Sequence, residues 1–194
     1  AEQVVAPLER RVLRPECCAH LLGQTGLSAK KMKHIRQQSS IIGHLEDRGL
    51  LGLGDKGVLV EMGCGKGALS ALIEQLPESG RSNHILVDRM TGVRNKADTR
   101  LRDIAGSFSR ITIDIAHLRL AGMPGVGGKQ LVLFSKHLCG AATCLTLRCA
   151  LQQTAEAAKA AEKDDQGAAG VEGETAAAGV AEVARVVRRE TGLV

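Results

Sequence analysis

The order of apolar and polar positions predicts helices and strands that alternate along the chain. From Ser28, a plausible N-cap, the segment SAKKMKHIRQQSSIIGHLEDRG has apolar residues at helical spacing and a natural stop at Gly49. A second helix is predicted from Ala68 to Leu76, before Pro77. Four strands are predicted, each ending near a polar or acidic residue: Gly57 to Glu61, His84 to Asp88, Arg110 to Asp114, and Leu131 to Ser135. Strands that alternate with helices at this spacing predict an α/β fold with a parallel sheet.

Composition divides the chain into three segments. Residues 1–26 give mixed signals and predict an irregular lead-in, whereas residues 27–150 contain all the predicted strands. Residues 151–194 are rich in Ala, Gly, Glu and Lys and predict a low-complexity tail or insertion that is disordered, since it buries too little apolar surface to offset the entropy of ordering. We therefore expect the sheet to be incomplete in this chain, either because the chain is truncated or because a variable insertion interrupts it.

Charge and composition narrow the function classes. Basic residues outnumber acidic ones by 26 to 21, and their excess lies in the part that is predicted to fold, which favours a polyanionic partner. The basic residues Lys30, Lys31, Lys33 and Arg36 in the first predicted helix suit phosphate groups, with a solvated face as the alternative. Only two aromatic residues are present, which argues against base-stacking platforms.

The apolar runs and the cysteine spacing predict the compartment of the protein and whether it binds a metal. No apolar run is long enough to span a bilayer and the beginning of the chain lacks a signal-peptide pattern, so we expect a soluble protein of the cytoplasm or nucleus with no membrane partner. Its six cysteines contain no C-x-x-C pair, which favours reduced thiols over disulfides. We predict no metal site, because Cys139, Cys144 and Cys149 lack the spacing of metal ligands.

The strongest local motif is VLVEMGCGKGALS, in which a strand runs into a glycine loop and then a helix. Gly63, Gly65 and Gly67 let the backbone approach a ligand closely, and the helix N-terminus offers oriented N–H groups. Glu61 suits the amino group of a methionine moiety. The G-x-G-x-G spacing differs from the G-x-G-x-x-G turn of NAD enzymes, and Lys66 is not followed by the Ser or Thr of a P-loop. The loop therefore favours S-adenosyl-L-methionine as the cofactor.

Two acidic residues at predicted strand ends extend this candidate site. Asp88 follows one βα unit after the glycine loop, where a carboxylate accepts the ribose hydroxyls of a nucleoside. Asp114 is placed to contact the adenine edge. The alternative for each is an acid that caps a loop at the end of a strand. NAD enzymes use the same ribose contact, so Asp88 indicates a nucleoside without choosing one.

At this point the sequence resembles a known family. The stretches KHIRQQSSIIGHLE, VEMGCGKGALS, ILVDR, RITIDIAHL and SKHLCGAATCLTLRC occur in the order found in eukaryotic tRNA 2′-O-methyltransferases that modify the fourth nucleotide of the acceptor stem. The resemblance covers roughly residues 30–150. It implies a Rossmann-like methyltransferase that uses S-adenosyl-L-methionine and acts on tRNA for glycine, proline and histidine, with no DNA partner.

This sequence departs from the family pattern in three respects. The zinc-finger spacing that usually precedes the methyltransferase region does not appear, and neither does the Cys- and His-rich segment that follows it. Cys144 stands where the family tends to have Asp. These departures leave the cofactor loop intact, but we expect this chain alone to methylate tRNA poorly or not at all.

For the chemistry, Lys136 and His137 are the candidates, because they follow the fourth predicted strand on the ligand-binding side of a parallel sheet. Either suits the task of lowering the pKa of a ribose hydroxyl or taking its proton. The alternative for His137 is a packing or capping role. Two rival functions remain open, an NAD-dependent oxidoreductase and a non-catalytic RNA-binding or regulatory protein with this fold.

Overall fold

The computed structural model describes residues 12–90 and 96–167. The strands are β1 (Gly57–Met62), β2 (Asn83–Asp88), β3 (Ser107–Thr112) and β4 (Gln130–Phe134). The helices are α1 (Ala19–Leu22), α2 (Ala29–Glu46), α3 (Ala68–Ile73), α4 (Lys96–Ile104) and α5 (Ala141–Gly167). Short 3-10 turns join several of these elements.

The four strands form one parallel sheet in the order β3-β2-β1-β4. The register places Glu61 of β1 between Leu86 of β2 and Phe134 of β4. From β1 the chain adds β2 and then β3 on one side of β1, and it then crosses back to place β4 on the other side. The direction of the connections therefore reverses next to β1. In open α/β sheets a ligand binds at the carboxyl ends of the strands where this reversal occurs. The predicted α/β fold is confirmed.

Helices cover both faces of the sheet because both faces are apolar. Each residue of β1 is buried, as expected for a strand between two layers. On one face Leu59 and Phe134 join the apolar residues of α2 and α3. On the opposite face Val60 and Leu131 pack with Cys149 of α5. This three-layer packing fixes the carboxyl ends of β1 and β4 side by side.

The first predicted helix begins and ends much as its pattern indicated. Ser28 caps α2, and its Oγ accepts a hydrogen bond from the Lys31 amide at 3.3 Å. Gly49 has a φ of +62°, in the left-handed region that ends a helix. The buried residues Ile35 and Ile42 lie on the stripe that the spacing predicted. The predicted helix that starts at Ala68 is also present as α3, although it ends at Ile73 rather than Leu76.

The predicted third strand was placed wrongly. We predicted Arg110 to Asp114, whereas β3 runs from Ser107 to Thr112. Pairing sets its end, because Thr112 is the partner of Asp88, the last residue of β2. Beyond it the Asp114 carboxylate accepts a hydrogen bond from the Ala116 amide at 2.9 Å and caps a 3-10 turn. The acidic residue therefore follows the strand instead of closing it.

The predicted boundary after residue 150 does not coincide with the end of an element. Helix α5 continues to Gly167, because its second half consists largely of Ala, Gln, Glu and Lys, which are strong helix formers. Low complexity predicts disorder for residues 151–167, whereas the structure has them in a helix, because the same composition supports a helix without a core. Residues 168–194 lie outside the described residues, so the prediction of a disordered tail stays a prediction for them. In the predicted lead-in, Glu16–Cys18 form a 3-10 turn and α1 follows.

None of the helices within the described residues is long and apolar enough to cross a membrane.

Candidate cofactor site

The loop after β1 has the backbone geometry that its glycines predicted. Gly63, Gly65 and Gly67 have φ angles of +62°, +51° and +70°, which residues with a side chain rarely adopt. Gly67 is the N-cap of α3. The chain thus leaves β1, turns through three left-handed positions and enters the helix at the point where β1 and β4 meet.

The glycines of this loop differ in what surrounds them. A Cβ atom added at Gly67 would collide with the Leu86 side chain, so this glycine is required for packing. A Cβ added at Gly65 would meet no atom within 4 Å. Gly65 therefore borders open space at the carboxyl edge of the sheet, as a residue that approaches a ligand should.

Glu61 is buried beneath the loop, with only 3% of its surface exposed. Its Oε2 accepts hydrogen bonds from the Ser70 amide at 3.0 Å and the Ser70 hydroxyl at 2.6 Å. Burial raises the pKa of Glu61, and the bonds from Ser70 oppose that rise. The described contacts of Glu61 thus connect β1 to the first turn of α3. Contact with a methionine amino group stays a prediction.

Asp88 lies at the end of β2 and supports the glycine loop. Its Oδ2 accepts a hydrogen bond from the Gly65 amide at 2.6 Å, and its Oδ1 accepts one from the Met90 amide at 2.9 Å. A carboxylate has about four acceptor positions, so these two amides leave capacity for the hydroxyls of a ribose. The structure brings Asp88 and the loop together, as the sequence predicted, and the ribose contact stays a prediction.

Arg110 of β3 is a site residue that the sequence analysis missed. Its guanidinium donates to both carboxylate oxygens of Asp98, at 2.8 Å and 2.6 Å, and its Nη1 donates to the Gly65 carbonyl at 2.9 Å. Nη1 also lies 3.1 Å from the Cys64 sulfur. Arg110 therefore links α4 to the glycine loop. The available signal was a cation at the start of a predicted strand, but its partner could not be read from the sequence.

The surroundings of Cys64 affect its chemistry. Burial raises the pKa of this thiol to about 12, although the positive charge of Arg110 opposes the rise. Cys64 is therefore a protonated, structural residue of the loop rather than a nucleophile. No group of three or more potential metal ligands occurs in the part of the chain that the structure describes.

Lys136 lies two residues past the end of β4. Its Nζ is 2.8 Å from Nδ1 of His34, a residue of α2 that is 102 positions away in sequence. Burial lowers the pKa of Lys136, and the negative charge of Glu61 partly offsets that effect. The half-buried Lys136 is thus closer to losing its proton than an exposed lysine is. His34 was not predicted as a site residue, because no local pattern connects it to β4.

His137 is exposed, and its amide donates to the Ser135 hydroxyl at 3.2 Å. Its segment packs on the glycine loop, since a Cβ added at Gly63 would lie 3.1 Å from Leu138 and 3.8 Å from the His137 carbonyl. The structure therefore brings the predicted catalytic segment and the predicted cofactor loop together. Asp114 lies at the same edge of the sheet but follows β3, two strands away from β1.

Comparison with known proteins agrees with this geometry. Residues 36–179 match the family described as methyltransferase TRM13. The chain is 40% identical over 138 residues to the tRNA:m(4)X modification enzyme TRM13 homolog of Mus musculus, a match that covers 70% of this chain and 28% of the mouse protein. It is 41% identical over 123 residues to the Homo sapiens protein of that name, covering 62% of this chain and 25% of the human protein.

A fungal relative extends the comparison. The tRNA:m(4)X modification enzyme TRM13 of Saccharomyces cerevisiae is 35% identical over 147 residues, which cover 60% of this chain and 30% of the yeast protein. The chain spans about a quarter to a third of the length of the curated relatives it matches. No solved structure matches it. The family match includes β1 to β4 and the glycine loop, and the chain therefore belongs to the methyltransferase TRM13 family.

Proposed function

We propose that this protein is an S-adenosyl-L-methionine-dependent tRNA methyltransferase that modifies a ribose 2′-hydroxyl in the acceptor stem. Membership of the TRM13 family and the names of the relatives support a tRNA substrate. The observation that carries the proposal is the glycine loop between β1 and α3, whose Gly65 amide donates to Asp88 and whose Gly63 packs against Leu138, just past β4.

The residues present fit the proposed cofactor. Open space borders Gly65, and Asp88 next to it retains acceptor capacity for ribose hydroxyls. The buried carboxyl group of Glu61 lies below the loop, where a bound sulfonium and ammonium group would favour its ionised form. S-adenosyl-L-methionine, when bound, supplies an activated methyl group.

The remaining task is to position a hydroxyl and remove its proton. Lys136 stands at the mouth of the site with its pKa lowered by burial, so its neutral form is easier to reach than that of an exposed lysine. A neutral amine accepts a proton from a hydroxyl, and the resulting ammonium is stabilised by the charge of Glu61. Holding the hydroxyl in line with the methyl group supplies much of the rate. Exposed His137 is the second candidate for this proton.

The proposal is tested in two steps with the 194-residue chain. Calorimetry with S-adenosylhomocysteine and with NAD identifies the cofactor, and we expect binding of the first only. Transfer of tritiated methyl groups to tRNA, followed by alkaline hydrolysis, identifies the product, because a 2′-O-methyl group blocks cleavage at the next phosphate.

Each rival function has its own outcome in these assays. Binding of NAD without S-adenosylhomocysteine would indicate the oxidoreductase. Tight tRNA binding without methyl transfer, both by this chain and by a chain extended past Val194, would indicate a non-catalytic RNA-binding protein. Label in a base rather than in an alkali-resistant dinucleotide would refute the ribose assignment.

A further inference from the structure

The first half of α2 presents a concentrated positive charge to solvent. Lys30, Lys31, Lys33 and Arg36 are all exposed, and no acidic residue occurs in the helix before Glu46. Within residues 12–90 and 96–167, none of these four side chains forms an ion pair. A surface helix usually intersperses charges of both signs, so this acid-free stretch produces a local positive potential.

His34 connects this charge to the candidate site. Its imidazole touches Lys136 at 2.8 Å, beyond the end of β4. Lys30 and Lys31 precede His34 by four and three residues and are therefore its neighbours on the helix surface. With a rise of about 1.5 Å per residue, they begin roughly 5 to 6 Å farther along the helix axis. The basic residues thus form a path that leads from solvent to Lys136.

The buried side of α2 argues against a membrane as the polyanionic surface that this helix binds. Ile35, Ile42 and Leu45 are buried in the core against the sheet. A helix that lies in a membrane interface inserts its apolar face among the lipids. Because that face of α2 is already buried, the exposed side offers cations without an apolar face, which suits a phosphate backbone in water.

We propose that the basic surface formed by Lys30, Lys31, Lys33 and Arg36 docks the phosphate backbone of the RNA substrate and, next to His34, directs a ribose toward Lys136. The inference rests on the proposed function, because it assumes that the site at the end of β4 acts on RNA. Phosphate contacts fix the register of a nucleic acid without reading its sequence. The α2 surface is accordingly a determinant of placement and affinity.

The test compares two double variants that remove the same charge. Lys30→Ala with Lys31→Ala changes the α2 surface, and since Ala is the best helix former the helix is expected to persist. Lys56→Ala with Lys129→Ala is the matched control. These lysines directly precede β1 and β4, so they lie at the amino ends of the strands, away from the candidate site. Affinity for an acceptor-stem RNA hairpin is measured from 50 to 200 mM KCl, and thermal melting checks the fold of each variant.

We expect the α2 variant to lose two phosphate contacts. The slope of log K against log salt should become shallower by about 1.4 to 1.8, and affinity at 0.1 M salt should fall about 10- to 100-fold. The control variant should bind as the unmodified chain does. An unchanged slope in a folded α2 variant, or an equal loss in the control, would overturn the proposal.

Two further outcomes separate this inference from its rivals. If the α2 variant loses binding to phosphatidylserine-containing vesicles but keeps its RNA affinity, the surface serves a membrane and the proposal is wrong. If neither the unmodified chain nor a chain extended past Val194 transfers a methyl group while RNA affinity still depends on Lys30 and Lys31, the proposed reaction fails and the docking surface stands.

Discussion

Replacing Arg110 tests whether the glycine loop is held by the tertiary structure. The Arg110→Ala change removes two hydrogen bonds to the carboxylate of Asp98 and one to the Gly65 carbonyl. It leaves the Asp98 side chain, which is 6% exposed, without its guanidinium partner. The change therefore acts on stability through Asp98 and on the cofactor site through Gly65.

The expected magnitude follows from burial and geometry. The Arg110 side chain is 14% exposed, so solvent screens this pair far less than a surface ion pair. Removing one partner of a buried pair costs about 3 to 5 kcal/mol when the other charge is left uncompensated, and because Asp98 has a further interaction we expect the lower end of this range. For a domain of this size, about 3 kcal/mol lowers Tm by roughly 6 to 12 °C. Affinity for S-adenosylhomocysteine should fall as well, because the Gly65 carbonyl loses its donor.

Urea unfolding and calorimetry provide the two readouts. Arg100→Ala is the matched control, since Arg100 is an exposed arginine of α4, two residues from Asp98, and should change stability by less than about 0.5 kcal/mol. Arg110→Lys keeps the charge but lacks the planar fork, so it should restore only part of the loss. A double-mutant cycle with Asp98→Asn isolates the pair. A loss of stability below 1 kcal/mol for Arg110→Ala, or a coupling near zero, would refute this reasoning.

Four further substitutions examine the loop and its supporting acids. Asp88→Ala should weaken S-adenosylhomocysteine binding by about 1 to 3 kcal/mol in calorimetry, because a charged acceptor is lost. Gly65→Ala has room for its methyl group and should cost only about 1 to 2 kcal/mol of stability through its left-handed φ, but it should reduce cofactor affinity. Gly67→Ala should instead destabilise the fold, because the added methyl group collides with Leu86. Glu61→Gln retains an acceptor oxygen for Ser70 and should flatten the pH dependence of stability measured by urea unfolding.

The sign of the last effect follows from the direction of the pKa change. Burial raises the pKa of Glu61 in the folded chain above its ordinary value of 4.5, so the folded state binds this proton more tightly than the unfolded state does. Its contribution to stability is fully present below that ordinary value and is lost as pH rises through the folded pKa. Glu61→Gln should therefore be relatively more stable than the unmodified chain at pH 8 than at pH 4. An identical pH profile would show that the carboxyl does not titrate differently on folding.

Controls distinguish site effects from general destabilisation for Asp88→Ala and Gly65→Ala. Asp103→Ala, an exposed acid of α4, should leave cofactor affinity unchanged. Equal loss for Asp88→Ala and Asp103→Ala would remove Asp88 from the site. Gly65→Ala protein that binds cofactor normally would show that the open space beside this glycine is not the cofactor pocket.

The sequence by itself determined the features that depend on local patterns. The apolar runs specified β1, β2 and β4 to within one residue at each end, and Ser28 and Gly49 marked the limits of α2. Glycine spacing indicated the loop, since only glycine tolerates three left-handed positions in a row of five residues. These features rest on periodicity and turn chemistry, which are properties of neighbouring residues.

Only the tertiary structure decided the partners that hold the site together. Arg110 reaches Asp98 and Gly65 because β3 pairs with β2 in one register and α4 packs above it. His34 meets Lys136 because packing of α2 against the sheet brings together residues that are 102 positions apart. Such contacts arise from the burial of apolar faces, and that burial determines which polar side chains meet. The sequence therefore showed the charged residues of the candidate site only as separate positions, and tertiary packing brought them into contact.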